Sequence, residues 1–382
     1  MASRSGVVGF LCKITFAYID RIGGRVAKLV PFCMKESVDG LQFTVYGLRF
    51  CIWMDLELHL EKSWRFPGLR HRHRFFGIIL PIFVFALLFA CGHAVAKGGI
   101  PLGKAKHLFD IQLTPDGPLS LPSDVAVAMD NRVYIVDGGN HRVLAYGPEG
   151  GFLFAFGKRG VGQGEFMWPL GIDVDGAGLV YVADKENNRV QVFDRDGKYK
   201  SSFAVQGKKD ELGKPIDVAV SAKTGLIFVT ENTQHRILVF DSDGTMLGSF
   251  GKRGVRKKEF RYPGSIAVRN GKVYIVDILN TVIKIFDERG KYLYKIGEWG
   301  VLPGQFYRPK GVAVDSRGRI YVTDSYMDVV EVFSKEYKFE HILATGSDQY
   351  KFFAPAGIAI DSRGRLYVAE MLGNRVSVFK LY

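Results

Sequence analysis

Cysteine and long apolar runs are both scarce in this chain. Of its 382 residues only four are cysteine, and all four lie in the first 91: Cys12, Cys33, Cys51 and Cys91. This excludes a disulfide framework and a thiolate metal site from residues 92–382. The only long apolar run is Phe75 to Ala90, so at most one segment could cross a membrane as a helix.

Positive charge is concentrated near the start of the chain. Residues 1–100 contain 13 Lys and Arg against 6 Asp and Glu, a net charge of +7, while the other 282 residues contain 39 against 33, a net charge of +6. The larger part of the chain is therefore only mildly basic. Global charge alone gives little support for nucleic-acid binding.

The apolar run follows a basic cluster, Arg70 to Arg74, which is the order of an export signal. We therefore expect a basic n-region at 54–74, a signal or anchor helix at 75–96 and a linker at 97–106. Three ways of processing the apolar segment remain open. Cys91 ends a sequence resembling a lipoprotein lipobox, 94–96 offers an Ala-Val-Ala cleavage site, and an uncleaved helix would act as an anchor. All three predict an extracytoplasmic location. Lipidation of Cys91, the first choice, or an uncleaved helix, the second, would hold the protein at the cell envelope, whereas cleavage after 94–96 would give a soluble secreted protein.

Residues 1–53 mix apolar and basic residues without a clear helical or strand period. They also place the export signal much further from the chain start than is usual. We interpret 1–53 as a poorly explained extension, and we expect translation to begin at Met54 or Met34.

Six prolines recur at intervals of 46 to 48 residues in the rest of the chain: Pro122, Pro169, Pro215, Pro263, Pro309 and Pro355. Each begins a short apolar run that is followed by a Tyr/Phe-Val/Ile run and a run ending in an aromatic residue. Runs rich in β-branched and aromatic residues, separated by Asp-Gly and Asn-x-Arg turns, predict four antiparallel strands per unit. A fixed period with four strands per unit predicts an all-β fold, a six-bladed β-propeller over 107–382.

The two ends of the repeated region complement each other. The sixth unit has only three predicted strands before Tyr382, and His107–Thr114 resembles the fourth strand of the other units. We therefore expect this N-terminal strand to complete the last blade, one strand from one end and three from the other. Such closure leaves no exposed sheet edge.

Several phrases carry a family resemblance. Asn140-His141-Arg142-Val143, Asn188-Arg189-Val190 and the Pro-x-Gly-Ile/Val-Ala-Val/Ile-Asp pattern resemble NHL-repeat propellers over about 275 residues. Val282 and Val329 depart from the pattern, because other units have arginine there. Similar propellers include RNA-binding proteins, zinc-containing amidating lyases and calcium-containing lactonases.

One acidic residue ends the second predicted strand of every unit: Asp137, Asp184, Glu231, Asp277, Asp324 and Glu370. Four of them precede an arginine by five residues. A residue that recurs in every unit is expected to stabilise the fold of that unit. We therefore expect these acids to hydrogen-bond the following turn and pair with arginine, rather than form a catalytic or calcium site.

Histidine is too sparse for a zinc site. The repeated region holds only His107, His141, His235 and His341, and zinc requires three or four converging ligands. His141 and His235 occupy the same turn position in two units, which indicates a structural role. We predict no catalytic residue, no metal and no cofactor.

The connectors between units differ most. The first three are basic, and the later ones carry aromatic residues: Trp299, Phe306, Tyr307, Tyr350, Phe352 and Phe353. The basic residues are Lys158, Arg159, Lys208, Lys209, Lys252, Arg253, Arg256, Lys257, Lys258 and Arg261. Equivalent loops of a propeller share one face, which we name the connector face, so we predict a docking surface for an anionic partner.

The predicted function is therefore binding or scaffolding by a membrane-tethered propeller. The expected partner is a protein or an anionic envelope component, and export would exclude nucleic acid. A metal-dependent hydrolase or lyase with a site in the central channel is the alternative.

Overall fold

The computed structural model describes strands between Cys12 and Cys51, and residues 100–382 except 208–211 and 346–347. The chain divides into two compact units, Met1–Phe89 and Ala90–Tyr382. The predicted n-region, the apolar segment and Cys91 lie outside the described residues. Within the described parts of the chain, no helix has the length and apolarity needed to span a membrane.

The first unit contains one antiparallel sheet, with strand order β1-β2-β3-β4. Its strands are β1 (Cys12–Ile19), β2 (Val26–Ser37), β3 (Gly40–Val45) and β4 (Leu48–Cys51). The sequence predicts no regular structure in this stretch, and the strands are a difference from that expectation.

The second unit is an all-β propeller of four-stranded antiparallel blades. We name the strands of each blade a to d, from the central channel outward, and number the blades along the chain. The strands are β5 (Leu102–Ile111), β6 (Leu113–Thr114), β7 (Gly117–Pro118), β8 (Pro122–Val127), β9 (Val133–Asp137), β10 (Arg142–Tyr146), β11 (Phe152–Phe156), β12 (Pro169–Val174), β13 (Val180–Asp184), β14 (Arg189–Phe193), β15 (Tyr199–Ala204), β16 (Pro215–Val220), β17 (Ile227–Glu231), β18 (Arg236–Phe240), β19 (Met246–Phe250), β20 (Pro263–Arg269), β21 (Lys272–Asp277), β22 (Val282–Asp287), β23 (Tyr292–Ile296), β24 (Pro309–Val314), β25 (Ile320–Asp324), β26 (Val329–Phe333), β27 (Phe339–Thr345), β28 (Asp348–Gln349), β29 (Pro355–Ile360), β30 (Arg365–Glu370) and β31 (Arg375–Leu381). Short 3₁₀ helices follow three of the b strands: Gly138–Asn140, Lys185–Asn187 and Ile278–Asn280.

All six period-setting prolines begin an a strand, as the spacing predicts. Because proline lacks a backbone N–H, it cannot donate a hydrogen bond to the neighbouring b strand. The pairing of strands a and b is irregular at that point. In the second blade Pro169 stands opposite Asp184, and the register shifts between Pro169 and Ile172.

Burial separates the middle strands from the outer ones. Every residue of β9 (Val133–Asp137) is buried, whereas β11 alternates between half-buried and exposed residues. Strand b is sandwiched between neighbouring blades, so both of its faces are covered, while strand d has a solvent side. The core therefore consists of apolar layers between blades, such as the one that joins Tyr134 to Val180 and Phe193.

The last blade combines strands from the two ends of residues 100–382. β5 pairs antiparallel with β31, with Ile111 opposite Val376, and its first residues pair in parallel with β27. The pairing strand begins at Leu102, five residues before the predicted start, and ends at Ile111. Thr114, the predicted end, instead belongs to the two-stranded ladder of β6 and β7.

Candidate functional site

Four of the connectors are anchored to the blades by a buried phenylalanine. Phe166, Phe260, Phe306 and Phe352 each lie three residues before a blade-start proline and are fully buried. Their rings pack on an aromatic residue at or near the end of strand c of the next blade, with centroids 5.5 to 5.6 Å apart. The connector is thus anchored at one point, and its polar residues project from a fixed backbone.

Glycine permits this anchoring. Gly157, Gly251 and Gly297 have positive φ angles of 87°, 93° and 80°. A Cβ atom on any of them would lie within 2.6 Å of the buried phenylalanine ring. Only glycine meets both the left-handed conformation and the close ring contact.

Turn histidines organise the next blade. The backbone N–H of Trp168 donates to Nδ1 of His141 at 3.0 Å, and that of Tyr262 donates to Nδ1 of His235 at 3.0 Å. Asn374 accepts the N–H of Leu121 in the same way. Burial and neighbouring arginines lower the pKa of both histidines, which favours the neutral ring that can accept. Both histidines therefore serve the fold, as predicted.

The basic connector residues divide into paired and unpaired groups. Lys158 pairs with Glu165 at 3.3 Å and Lys252 with Glu259 at 3.6 Å. Lys257 lies over the ring of Tyr292 at 5.8 Å. Among the residues described, no side-chain partner is recorded for the exposed Arg159, Arg253, Arg256, Lys258 and Arg261. Lys208 and Lys209 lie outside the described residues.

The aromatic half of the connector face needs correction. Phe306 and Phe352 are buried core residues, not surface groups, because they are the connector anchors. Tyr350 is also half-buried, stacked on His107. The sequence pattern was therefore wrong to place these three on the surface.

Exposed rings do occur on this face. Trp299 and Phe353 are 61% and 54% exposed, and Tyr307 stacks on Tyr326 with centroids 3.9 Å apart. The sequence interpretation missed Trp168, Tyr262 and Tyr326, each 40% to 48% exposed. Trp168 and Tyr262 immediately precede a blade-start proline, which is the signal that could have identified them.

A depression lies at the first connector. It has a volume of about 430 Å³ and is lined by Arg159, Trp168, Lys185 and neighbouring residues. An unpaired guanidinium thus stands beside an exposed indole. This combination can hold an anionic group and an apolar or ring-shaped group together.

The acidic residues of the b strands have the predicted structural contacts. Asp137, for example, accepts hydrogen bonds from Arg142 Nε at 2.8 Å, Asn140 Nδ2 at 2.9 Å and the N–H of Ser120 at 2.7 Å. The same acid–arginine contact recurs in three further blades. In the fourth blade Lys284 replaces arginine, with Nζ 2.8 Å from Asp277.

Three carboxylic acids on the a strands form a set that the sequence interpretation missed. Asp124, Asp173 and Asp217 line a channel of about 260 Å³ that is bounded by all six a strands. Burial raises the pKa of Asp173 to about 6 and also raises the pKa of Asp124 and Asp217, which repel each other. These groups belong to the first three blades, so the channel is chemically asymmetric.

Each of these acids ties one blade to the next. Asp124 accepts the N–H of Ile172 at 3.0 Å, and Asp217 accepts that of Ile266 at 2.9 Å. On the other side, a Cβ on Gly357 or Gly171 would lie 2.0 or 2.1 Å from the Asp124 or Asp217 carboxyl oxygen. Glycine in one blade thus makes room for aspartate in the next. Within the described residues, no three His, Cys, Asp or Glu side chains are grouped so as to hold a metal ion.

Closed packing of four-stranded blades around a channel defines a β-propeller. Residues 255–336 match a family described as a six-bladed beta-propeller, and residues 119–146 and 166–193 match the NHL repeat. The second unit is thus a propeller, and two of its segments match the NHL repeat. No curated protein matches it significantly.

Solved structures share the fold at low sequence identity. A gluconolactonase from Xanthomonas campestris is 14% identical, with a TM-score of 0.53 over 75% of this chain and 99% of its own. A streptogramin B lyase is 14% identical, with a TM-score of 0.50 over 73% and 98%. A Bacteroides thetaiotaomicron protein of unknown function is 14% identical, with a TM-score of 0.55 over 74% and 75%. At this identity the likeness concerns the fold alone.

Proposed function

We propose that this protein is a non-catalytic, extracytoplasmic binding propeller that recognises an anionic partner through its connector face. In this proposal the propeller has six blades, and β5 closes the ring. The apolar segment 75–96 tethers it to the cell envelope, by lipidation of Cys91 or as a helix. The expected partner is an acidic protein or another anionic envelope component.

The observation that carries the proposal is the group of unpaired cations on anchored connectors. Arg253, Arg256, Lys258 and Arg261 project from one connector whose Phe260 is fully buried. Because this backbone is held in place, little conformational entropy is lost when a partner binds. Unpaired, exposed cations also attract an anionic partner over a distance and raise its association rate.

The exposed aromatic rings extend the same surface. Trp168 lines a depression with Arg159, and Tyr262 directly follows Arg261 in the chain. Large rigid rings such as these contribute strongly to protein interfaces. A partner with acidic residues around an apolar centre would complement both features. This arrangement supports a protein partner over a small anion.

A second candidate is a hydrolase or lyase acting in the central channel. It is favoured by Asp124, Asp173 and Asp217, whose raised pKa values suit proton transfer near neutral pH. Two of the structures sharing the fold are described as a lactonase and a lyase. It ranks second because each acid already accepts backbone N–H groups of the a strands.

Charge reversal tests the first proposal. A full-length variant with Arg253→Glu, Arg256→Glu and Lys258→Glu changes the connector face by six charges. We expect affinity capture from native envelopes to lose the partners retained by the wild type. The matched control is Lys198→Glu, Arg289→Glu and Lys291→Glu, which makes the same charge change at exposed c–d turns on the other face.

Partner sets that are identical for the wild type and both variants would refute recognition by the connector face. Metal analysis of the purified protein, with melting curves in calcium and zinc, tests the channel enzyme. A stoichiometric metal would favour that second candidate. Cell fractionation and N-terminal sequencing of the native product test the location and the processing of the apolar segment.

A further inference from the structure

A larger cavity lies on the face opposite the connectors. Because the strands of a blade are antiparallel, its a–b and c–d turns stand at the other end from the connectors. The cavity has a volume of about 500 Å³, and its lining includes Met129, Arg269, Arg317, Arg363 and Leu381. It shares Met129 and Arg269 with the central channel and so forms the channel's mouth on this side.

On this face, the a–b turn of one blade often contacts the c–d turn of the next. Thr224 of the third blade donates to Glu288 of the fourth at 2.7 Å, and Lys272 of the fourth donates to the Tyr337 hydroxyl of the fifth at 2.8 Å. At the junction of the sixth and first blades, Arg363 Nη1 lies 2.9 Å from Glu149 Oε1. Among the described residues, polar contacts of this kind join four of the six pairs of neighbouring blades, and the second and third blades lack one.

The junction between the fifth and sixth blades lacks this contact. The c and d strands of the sixth blade are β31, which ends at Leu381, and β5, which begins at Leu102. No short turn can join them, so the sixth blade presents no c–d turn to the fifth. The cavity occupies this junction, beside Lys380 and Leu381.

One arginine is left unpaired as a result. The sequence Asp-Ser-Arg-Gly-Arg occurs at 315–319 and again at 361–365. In the second copy Arg363 pairs with Glu149. In the first copy, the side chain of Arg317 has no hydrogen bond or ion pair to any part of the chain that the structure describes.

The cavity has a second unpaired cation, and the two aspartates of its lining, Asp315 and Asp361, are already engaged. Arg269 is exposed and likewise lacks a side-chain partner within residues 100–382 as described. Asp315 is already engaged by Arg319 Nε at 2.8 Å and by the N–H groups of Arg317 and Arg319. Asp361 accepts the N–H groups of Arg363 and Arg365 in the same manner.

The rest of the lining mixes apolar residues, among them Val314, Ile360 and Leu381, with polar ones, among them Ser316, Ser362 and Lys380. A volume of this size lies within the usual range for small-molecule sites, which combine an apolar wall with a few placed polar groups.

We propose that this cavity binds a small organic anion. Its carboxylate or phosphate group would pair with Arg317 and Arg269, taking the place that the Glu149 carboxylate holds at the next junction. Its apolar part would lie against Val314 and Leu381. This site is separate from the connector face and does not depend on the function proposed for that face.

Calorimetric titration of the full-length protein tests the site, with phenyl phosphate and benzoate as probes and benzyl alcohol as the neutral analogue. We expect both anions to bind at low salt and benzyl alcohol not to bind. The relative affinities of the two anions identify the preferred head group. Arg269→Gln and Arg317→Gln should each weaken anion binding by about tenfold, the effect of losing one charge-assisted pair.

Arg289→Gln is the matched control, because Arg289 is exposed in a c–d turn of the same face but lies outside the cavity. It should bind the anions as the wild type does. Melting temperatures equal to the wild type would show that the three variants are folded. Equal anion affinity in the wild type and both cavity variants, or no anion binding by the wild type, would overturn the proposal.

Discussion

The second and fifth blades differ in how the buried acid at the end of strand b is paired. In the second blade, the fully buried Asp184 lies 2.9 Å from Arg189 Nε and also accepts Gln191 Nε2 at 3.1 Å. Arg189 further donates to the carbonyl oxygens of Gly162 and Glu165 at 2.6 and 2.8 Å. The Asp184 carboxylate, the Arg189 guanidinium and the connector carbonyls thus form one network in which the buried charges are paired and hydrogen-bonded.

In the fifth blade, Val329 replaces the arginine and Glu331 replaces the glutamine. Asp324 is held by backbone N–H groups, including those of Tyr307 and Tyr326 at 2.7 and 3.0 Å. Glu331 is fully buried, and burial together with the Asp324 charge raises its pKa to about 8. Its Oε1 atom has no hydrogen-bond partner among the described residues.

This difference shows that the repeat conserves the buried acid at the end of strand b but not the side chain that pairs with it. The fourth blade is intermediate, since Lys284 supplies the positive charge from two residues further along the chain. Among the described residues, no Lys or Arg side chain pairs with Asp324 or Glu331 in the fifth blade, and a proton retained by Glu331 removes the second negative charge. A buried network can thus be neutralised by a cation or by a proton.

The largest expected effect comes from removing the cation in the second blade. Arg189→Leu leaves the Asp184 charge buried and unpaired, which typically costs about 3 to 5 kcal/mol. We expect the free energy of unfolding, measured in urea at pH 7, to fall by about that amount. Arg289→Leu changes an exposed arginine and should cost less than about 0.5 kcal/mol; equal losses in the two variants would contradict the network interpretation.

The fifth blade should respond to pH instead. With a folded pKa of about 8, Glu331 keeps its proton where the unfolded chain has lost it, so stability falls as pH rises from about 4.5 to 8. Glu331→Gln removes this penalty, and Gln191 shows that glutamine satisfies the equivalent position by bonding both Gly164 N–H and the Glu165 carbonyl. We expect stabilisation on the order of 3 kcal/mol at pH 8 and little change at pH 4.5.

Urea unfolding of this variant across that pH range measures the effect. Glu336→Gln is the control, because Glu336 is exposed in the c–d turn of the same blade. Its stability profile should parallel that of the wild type. A pH-independent difference between Glu331→Gln and the wild type would show that Glu331 does not retain the proton.

Much of the fold could be predicted from the sequence because it repeats. The prolines, the b-strand acids and the turn histidines recur at one period, so each could be assigned by comparing units. The same comparison should have identified Phe306 and Phe352 as core, since Phe166 and Phe260 also lie three residues before a proline. Their location in predicted loops concealed this regularity.

The channel acids and the opposite-face cavity could not be predicted in this way. Asp217 fits beside Gly171, a residue 46 positions earlier in a different blade, and nothing local links the two. The cavity lies where the last blade has no c–d turn, because its c and d strands, β31 and β5, come from distant parts of the chain. Contacts between units depend on their arrangement in space, which the pattern within a unit does not contain.

The smallest expected effect concerns the blade-starting turns that the histidines organise. The N–H of Tyr262 donates to Nδ1 of His235, and protonation of the imidazole would prevent this hydrogen bond. The pKa of His235 is lowered in the folded state. The unfolded chain therefore takes up the proton first, and this part of the stability declines as pH falls below about 6.5. His235→Ala should cost about 1 kcal/mol at pH 7.5, the typical contribution of one such hydrogen bond. His235→Asn should be nearly neutral, because Asn374 makes the same contact with Leu121, and it should reduce the decline in acid. Urea unfolding at pH 5.5 and 7.5 distinguishes these outcomes, and equal losses from Ala and Asn would show that the imidazole packs rather than accepts.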